Sequence, residues 1–186
     1  MSRHERILER ERSLLLVIDL QDSYRGKIHE EERLVRGVGR LSAAAEILSV
    51  PVLLTEQYPK GLGATREDVA THLPAATERF EKTSFSALGA PGLAEALGRL
   101  GRDQIVVAGV ETHVCVNQTA HDLLAQGLQV HLVRDAIGAR FALEDEAGFA
   151  KMLGSGACPA SSEQVLFEWL ERAGTAEFKA IHSLVV

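Results

Sequence analysis

Apolar residues run without a break from Leu14 to Ile18 and stop at Asp19. An unbroken run of that length predicts a strand buried on both faces, as in a parallel sheet, with an acid at its carboxyl end. From Glu31 to Leu48 the period changes: Leu34, Val38, Leu41, Ala45 and Leu48 recur at helical spacing, and Pro51 closes the segment before Val52-Leu53-Leu54 starts a second strand. Gln104 to Gly109 predicts a further buried strand and Val114 to Gln126 its helix. Gly127 is the helix stop, and Leu128 to Val133 is the next strand, ending near Asp135. Leu88 to Leu100 and Leu143 to Ser155 read as helices. Ala157 to Ser161 reads as a short edge strand, and Glu163 to Arg172 as a helix capped by Ser161 or Ser162. Between Glu56 and Phe80 there is little periodicity, which predicts a long loop with a short helix around Arg66 to His72. Residues 2 to 12 predict a surface helix or loose arm with Ile7 and Leu8 as its apolar anchors, and Phe178 to Val186 a tail packed on the body.

Strands alternating with helices predict one α/β domain over residues 1–186, a mostly parallel sheet with helices on both faces. Ligands of such sheets bind outside the carboxyl ends of strands, near a reversal of strand order. Asp19 and Cys115 both fall at predicted carboxyl ends, so one pocket can hold them. The net charge of -6 gives no electrostatic case for nucleic acid or an anionic membrane, and no apolar run approaches a membrane span. With only Cys115 and Cys158 there is no disulfide framework, and a reducing cytoplasm is the expected compartment. Gly61 and Gly63 lack the Gly-Lys-Ser/Thr ending of a phosphate loop, and the seven histidines show no ligand spacing.

The stretch Gly109-Val110-Glu111-Thr112-His113-Val114-Cys115 joins a strand to a helix with a cysteine at the turn. Unpaired N–H groups and the positive end of the helix dipole there favour a thiolate. Read alone, Cys115 is also compatible with a small buried core residue. Chemistry on a carbonyl needs a nucleophile, a proton carrier and a group to hold charge. Cys115, Asp19 and Lys82 supply all three, with backbone N–H groups of Glu111 and Cys115 as candidate oxyanion donors.

Three segments carry a family resemblance. Leu16-Val17-Ile18-Asp19-Leu20-Gln21, Lys82-Thr83-Ser84-Phe85 and Gly109 to Val116 look like the signature segments of the isochorismatase-like cysteine hydrolases. They come in the right order and are closest to the isochorismatase domain-containing branch. The resemblance implies a three-layer α/β/α sandwich with a six-stranded sheet, an Asp19, Lys82, Cys115 triad and a cis peptide between Val110 and Glu111. It further implies a homo-oligomer acting on a small molecule. Tyr24, Gln57, Phe85 and Thr112 are the candidate substrate contacts. The nicotinamidase branch carries an Asp-x-His-x-His metal site after its second strand, whereas this chain reads Glu56-Gln57-Tyr58-Pro59-Lys60, so no metal and no cofactor is expected. The reaction expected is cleavage of an amide or carbamoyl C–N bond through a thioester. Vinyl ether hydrolysis of the isochorismatase type and a non-catalytic interaction protein are the alternatives, and Arg36, Arg40, Arg134 and Arg140 include a candidate receptor for a carboxylate.

Overall fold

The computed structural model describes residues 3–186, so Ser2, the first residue of the expected arm, lies outside the described residues. Six strands form one sheet in the order β3-β2-β1-β4-β5-β6, and every pairing is parallel. The strands are β1 (Ser13–Ile18), β2 (Val52–Gln57), β3 (Glu78–Lys82), β4 (Gln104–Val110), β5 (Gln129–Gly138) and β6 (Cys158–Ala160). The principal helices are α1 (Glu31–Leu48), α4 (Leu93–Leu100), α5 (Asn117–Ala125), α6 (Ala142–Gly154) and α7 (Ser162–Leu170). Short ones are α2 (Pro59–Leu62), α3 (Glu67–Ala70) and α8 (Phe178–His182).

The continuous apolar runs do what a doubly covered sheet requires. All six β1 residues are buried, with Leu15 and Val17 facing a core closed by α1, α7 and α8 and Leu14, Leu16 and Ile18 facing one closed by α4, α5 and α6. The result is the three-layer sandwich. From β1 the chain builds outward through β2 and β3, then returns to build β4, β5 and β6 on the other side. The order therefore reverses between β1 and β4, and a crevice opens above their carboxyl ends.

Three expectations need correction. The predicted loop from Glu56 to Phe80 holds its expected short helix as α3, but it also contains α2, the end of β2 and the start of the edge strand β3. Its sequence, Glu-Arg-Phe-Glu-Lys, carries charge because an edge strand has one partner and one wet side. β5 does not stop at Asp135 but continues to Gly138 after a register shift opposite Val107 and Gly109. The N-terminal arm is not helical in its described part. It is tied down through turns, with Leu8 fully buried and its N–H donating to Glu168 Oε2 at 2.8 Å.

His131 on β5 lies opposite Cys158 of β6, and its Nε2 is buried with no partner among the described residues. Burial pulls its pKa down to about 4, so the folded protein holds the ring neutral. Between pH 6.5 and 4 the unfolded chain binds the extra proton and stability falls with acid, by on the order of 3 kcal/mol across the window. His131→Gln should flatten that slope in denaturant titrations between pH 7 and 4. An unchanged slope would exclude His131 as its source.

Candidate active site

The carboxyl end of β1 delivers Asp19 in the left-handed region, at φ 52°, and its N–H donates to Thr55 O at 3.1 Å. A non-glycine residue held there costs about 1–2 kcal/mol, which tertiary contacts must offset. The side chain is fully buried and fully occupied. Thr55 Oγ1 donates to Asp19 Oδ1 at 2.6 Å, and Lys82 Nζ donates to Oδ2 at 2.6 Å. Lys82 leaves β3, two strands away, and reaches over the end of β2. Its ammonium also meets Gln57 Oε1 at 2.7 Å and the carbonyls of Phe85 at 3.1 Å and Ser84 at 3.2 Å. Three N–H donors thus face four acceptors, so the ammonium is anchored in place.

Cys115 reaches this pair from β4. Gly109, the penultimate residue of that strand, has φ 114°, and a Cβ there would lie 2.0 Å from Ile18 O. Only glycine lets β4 run this close to β1 and so bring the next turn over Asp19. The Val110–Glu111 peptide bond is cis. Residues Thr112–Val116 then form a single π-helical turn before α5 begins, with Val114 and Val116 N–H both donating to Glu111 O. Thr119 Oγ1 ties Cys115 O at 2.6 Å. Among the described residues no backbone carbonyl takes the Glu111 N–H.

The electrostatics differ from the expected thiolate. Burial pushes the Cys115 thiol up to about 12, the Asp19 charge adds to the rise, and Lys82 opposes it. A buried thiol facing a carboxylate keeps its proton at rest, and the positive end of a helix does not outweigh that environment. The buried carboxylate whose charge bears on this thiol is that of Asp19.

Cys115 sits at the foot of a cavity of about 380 Å³ lined by Tyr24, Gln57, Tyr58, Leu62, Phe85, Glu111, Val114 and Arg140. Tyr24 is half-buried, and its phenol is pushed up to about 12 by burial and then by the Glu111, Cys115 and Asp19 charges, so it remains a donor. Phe85 stands at the rim, 53% exposed. Gln57 reaches the cavity, but its amide is engaged by Lys82 and by Thr83 O at 2.9 Å, which makes it a holder of the ammonium. Thr112 departs from its expected place: it is fully buried, it is not among the cavity residues, and its hydroxyl donates to Asp145 Oδ1 at 2.5 Å. Among the four arginines singled out in the sequence, Arg140 lines the cavity. Its Nε and its backbone N–H both donate to Glu111 Oε1, at 2.9 and 3.1 Å. Thr55, Gln21 and Asp145 were not found from sequence. Gln21 lay in a signature segment, and its amide clasps the Gln57 backbone in both directions. A larger cavity of about 800 Å³ on the outer side of α1 holds no nucleophile, and Arg25 and Arg66 in it are paired with Asp68 and Glu31. Among the described residues no cluster of three or more His, Cys, Asp or Glu side chains is arranged to hold a metal, and no helix is long and apolar enough to cross a membrane.

The isochorismatase domain model matches residues 13–164, a span that holds Asp19, Lys82 and Cys115. The chain belongs to the isochorismatase family. It is 36% identical over 176 residues to mouse isochorismatase domain-containing protein 2A, covering 94% of this chain and 83% of the relative. Among solved structures, one described as the MAR1 ribonuclease from Caenorhabditis elegans superposes with a TM-score of 0.91 at 35% identity, over 96% of this chain and 91% of that one. The YcaC protein of Escherichia coli, described as an octameric hydrolase of unknown specificity, shares the fold with a TM-score of 0.89 at 21% identity, over 100% and 93% of the two chains.

Proposed function

We propose that this isochorismatase-family protein is a metal-independent cysteine hydrolase that cleaves an amide or carbamoyl C–N bond of a small molecule through a thioester. The observation that carries the reading is the buried Asp19–Lys82 ion pair facing a buried thiol at the foot of a small cavity. Cys115 Sγ bonds to the carbonyl carbon while its proton passes to Asp19, and the carbonyl electron pair moves onto oxygen beside the N–H groups of Glu111 and Cys115. Asp19 then protonates the leaving nitrogen, the C–N bond breaks and a thioester remains. Water attacks it, giving its proton to Asp19, and the C–S bond breaks with return of that proton to sulfur. Lys82 keeps the acid oriented and balances its charge.

Tyr24, Leu62 and Phe85 offer the substrate an apolar, partly aromatic wall, and the terminal nitrogens of Arg140 leave a place for an anionic group at the rim. The ribonuclease description belongs to the nematode protein. A net charge of -6 and a cavity of about 380 Å³ favour a small molecule here. Vinyl ether hydrolysis would begin with Asp19 as a proton donor, whereas both its oxygens already accept, from Lys82 Nζ and Thr55 Oγ1 at 2.6 Å each, an arrangement that suits a base better. The octameric YcaC relative supports assembly of this chain into a homo-oligomer, and two free cysteines suit a cytoplasmic enzyme. Incubation with a panel of primary amides and N-carbamoyl compounds, followed by acid quench and intact-mass spectrometry, should trap an acyl adduct on Cys115. Full turnover by Cys115→Ala on a substrate so identified would reject the mechanism, and the absence of any adduct or turnover across the panel would favour a non-catalytic role.

A further inference from the structure

Two consecutive residues of the nucleophile turn are each held from outside, and both anchors come from the stretch between Arg134 and Asp145. Glu111 is held by Arg140 through the rim contacts already described. Thr112 is held from the opposite side, where its hydroxyl meets Asp145 Oδ1 and Arg134 Nη1 donates to Asp145 Oδ2 at 2.6 Å. Asp145 is 3% exposed and Thr112 fully buried, and the Arg134 guanidinium lies 4.9 Å from the centre of the Phe149 ring. One helical turn on from Asp145, a Cβ on Gly148 would come within 2.8 Å of His113 Cα and 2.9 Å of His113 N. Helix α6 therefore rests directly on the backbone of the turn, and residues 145 and 148 present one face to it. A one-turn π-helix has few internal bonds, so its geometry depends on such external contacts.

We propose that Asp145, itself fixed by Arg134, is a positioning residue that sets the oxyanion-binding turn through Thr112. Asp145 touches the turn at the Thr112 hydroxyl, so its influence on the site runs through that hydrogen bond. The inference rests on the hydrolase reading above, because it assigns the turn an oxyanion to bind.

Two reagents separate geometry from thiol reactivity. Addition of the Cys115 sulfur to acrylamide moves the alkene electron pair onto the carbonyl oxygen, so the transition state uses the oxyanion donors before a proton closes the carbon. Displacement on iodoacetamide releases iodide and makes no oxyanion. Thr112→Val keeps the shape and deletes the hydroxyl. It should slow acrylamide addition about tenfold or more, the scale of weakening an oxyanion donor, while iodoacetamide alkylation stays within about twofold. Thr112→Ser should restore the acrylamide rate. Asp145→Asn, which keeps an acceptor for Thr112 but loses the charge that fixes Arg134, should give an intermediate loss and guards against a misfolded Thr112→Val. Equal slowing of both reagents, or no slowing of either, would overturn the positioning role. If unaltered Cys115 adds acrylamide no faster than an unfolded control does, the hydrolase reading fails instead and this inference falls with it.

Discussion

Asp19→Asn is expected to lower turnover by about three orders of magnitude or more while making the Cys115 thiol more acidic than in the unaltered protein. The two effects have one source. Asp19 is the second largest cause holding the thiol up at about 12, after burial, and Lys82 pulls the other way. Asparagine preserves the shape and an acceptor oxygen for Lys82, removes the negative charge and leaves the ammonium to act on the sulfur alone. A thiolate then becomes more populated at neutral pH, yet no group remains to carry the proton to the leaving nitrogen. The pH profile of iodoacetamide alkylation should shift to lower pH while hydrolysis of the substrate found in the amide panel is lost. A profile that stays in place, or turnover within tenfold of the unaltered enzyme, would remove Asp19 from the role of proton carrier. The sign for stability follows from the same group. Because the folded protein holds the thiol proton to higher pH than the unfolded chain does, Cys115 makes the fold less stable as pH climbs from about 9 toward about 12.

Lys82→Met is expected to cost both stability and activity. Lys82 and Asp19 are almost wholly buried, with side-chain exposures of 0% and 1%. Removing one partner of such a pair leaves an uncompensated charge and costs about 3–5 kcal/mol at neutral pH. Gln57 Oε1 and the carbonyls of Ser84 and Phe85 lose their donor as well. The cost should appear as a lower denaturant midpoint for the variant at pH 7. A midpoint equal to that of the unaltered protein would mean that methionine packing offsets the broken pair, and the stranded carboxylate would then not be the cost assigned to it. Turnover should fall by at least about a hundredfold, since the acid loses its orientation and the thiol its nearby cation.

The parts of this architecture that were legible in the sequence are those with periodic burial. Leu14 to Ile18 and Ile105 to Ala108 are buried on both faces and could be read as parallel strands from composition alone. Edge strand β3 was hidden because its register with β2 is a backbone property, and Glu78, Arg79 and Glu81 give no apolar signal. Asp19, Lys82 and Cys115 were found through strand ends and family segments, and the pocket positions of Tyr24 and Phe85 followed from their offsets. Thr55 and Asp145 were out of reach. Each is an ordinary polar residue in a strand or a helix whose importance lies in a contact, over 36 and 33 residues of sequence respectively. The thiolate expectation failed because local helix logic carries no information on how deeply Cys115 is buried or which charge it faces.

The reversal of strand order between β1 and β4 has a consequence for how the reactive centre comes into being. The N-terminal half of the chain, through β3, contains the acid, the lysine and the Thr55 and Gln57 contacts that hold them, all on one side of the β1–β4 boundary. The sulfur belongs wholly to the other half. Neither half alone holds both the thiol and the buried acid, and the two meet at a seam formed where β4 pairs along β1 from Ser13 with Gln104 to Ile18 with Gly109. The unusual surroundings of Cys115 therefore depend on contact between the two halves of the chain, and a polypeptide cut between β3 and β4 would leave it an ordinary thiol.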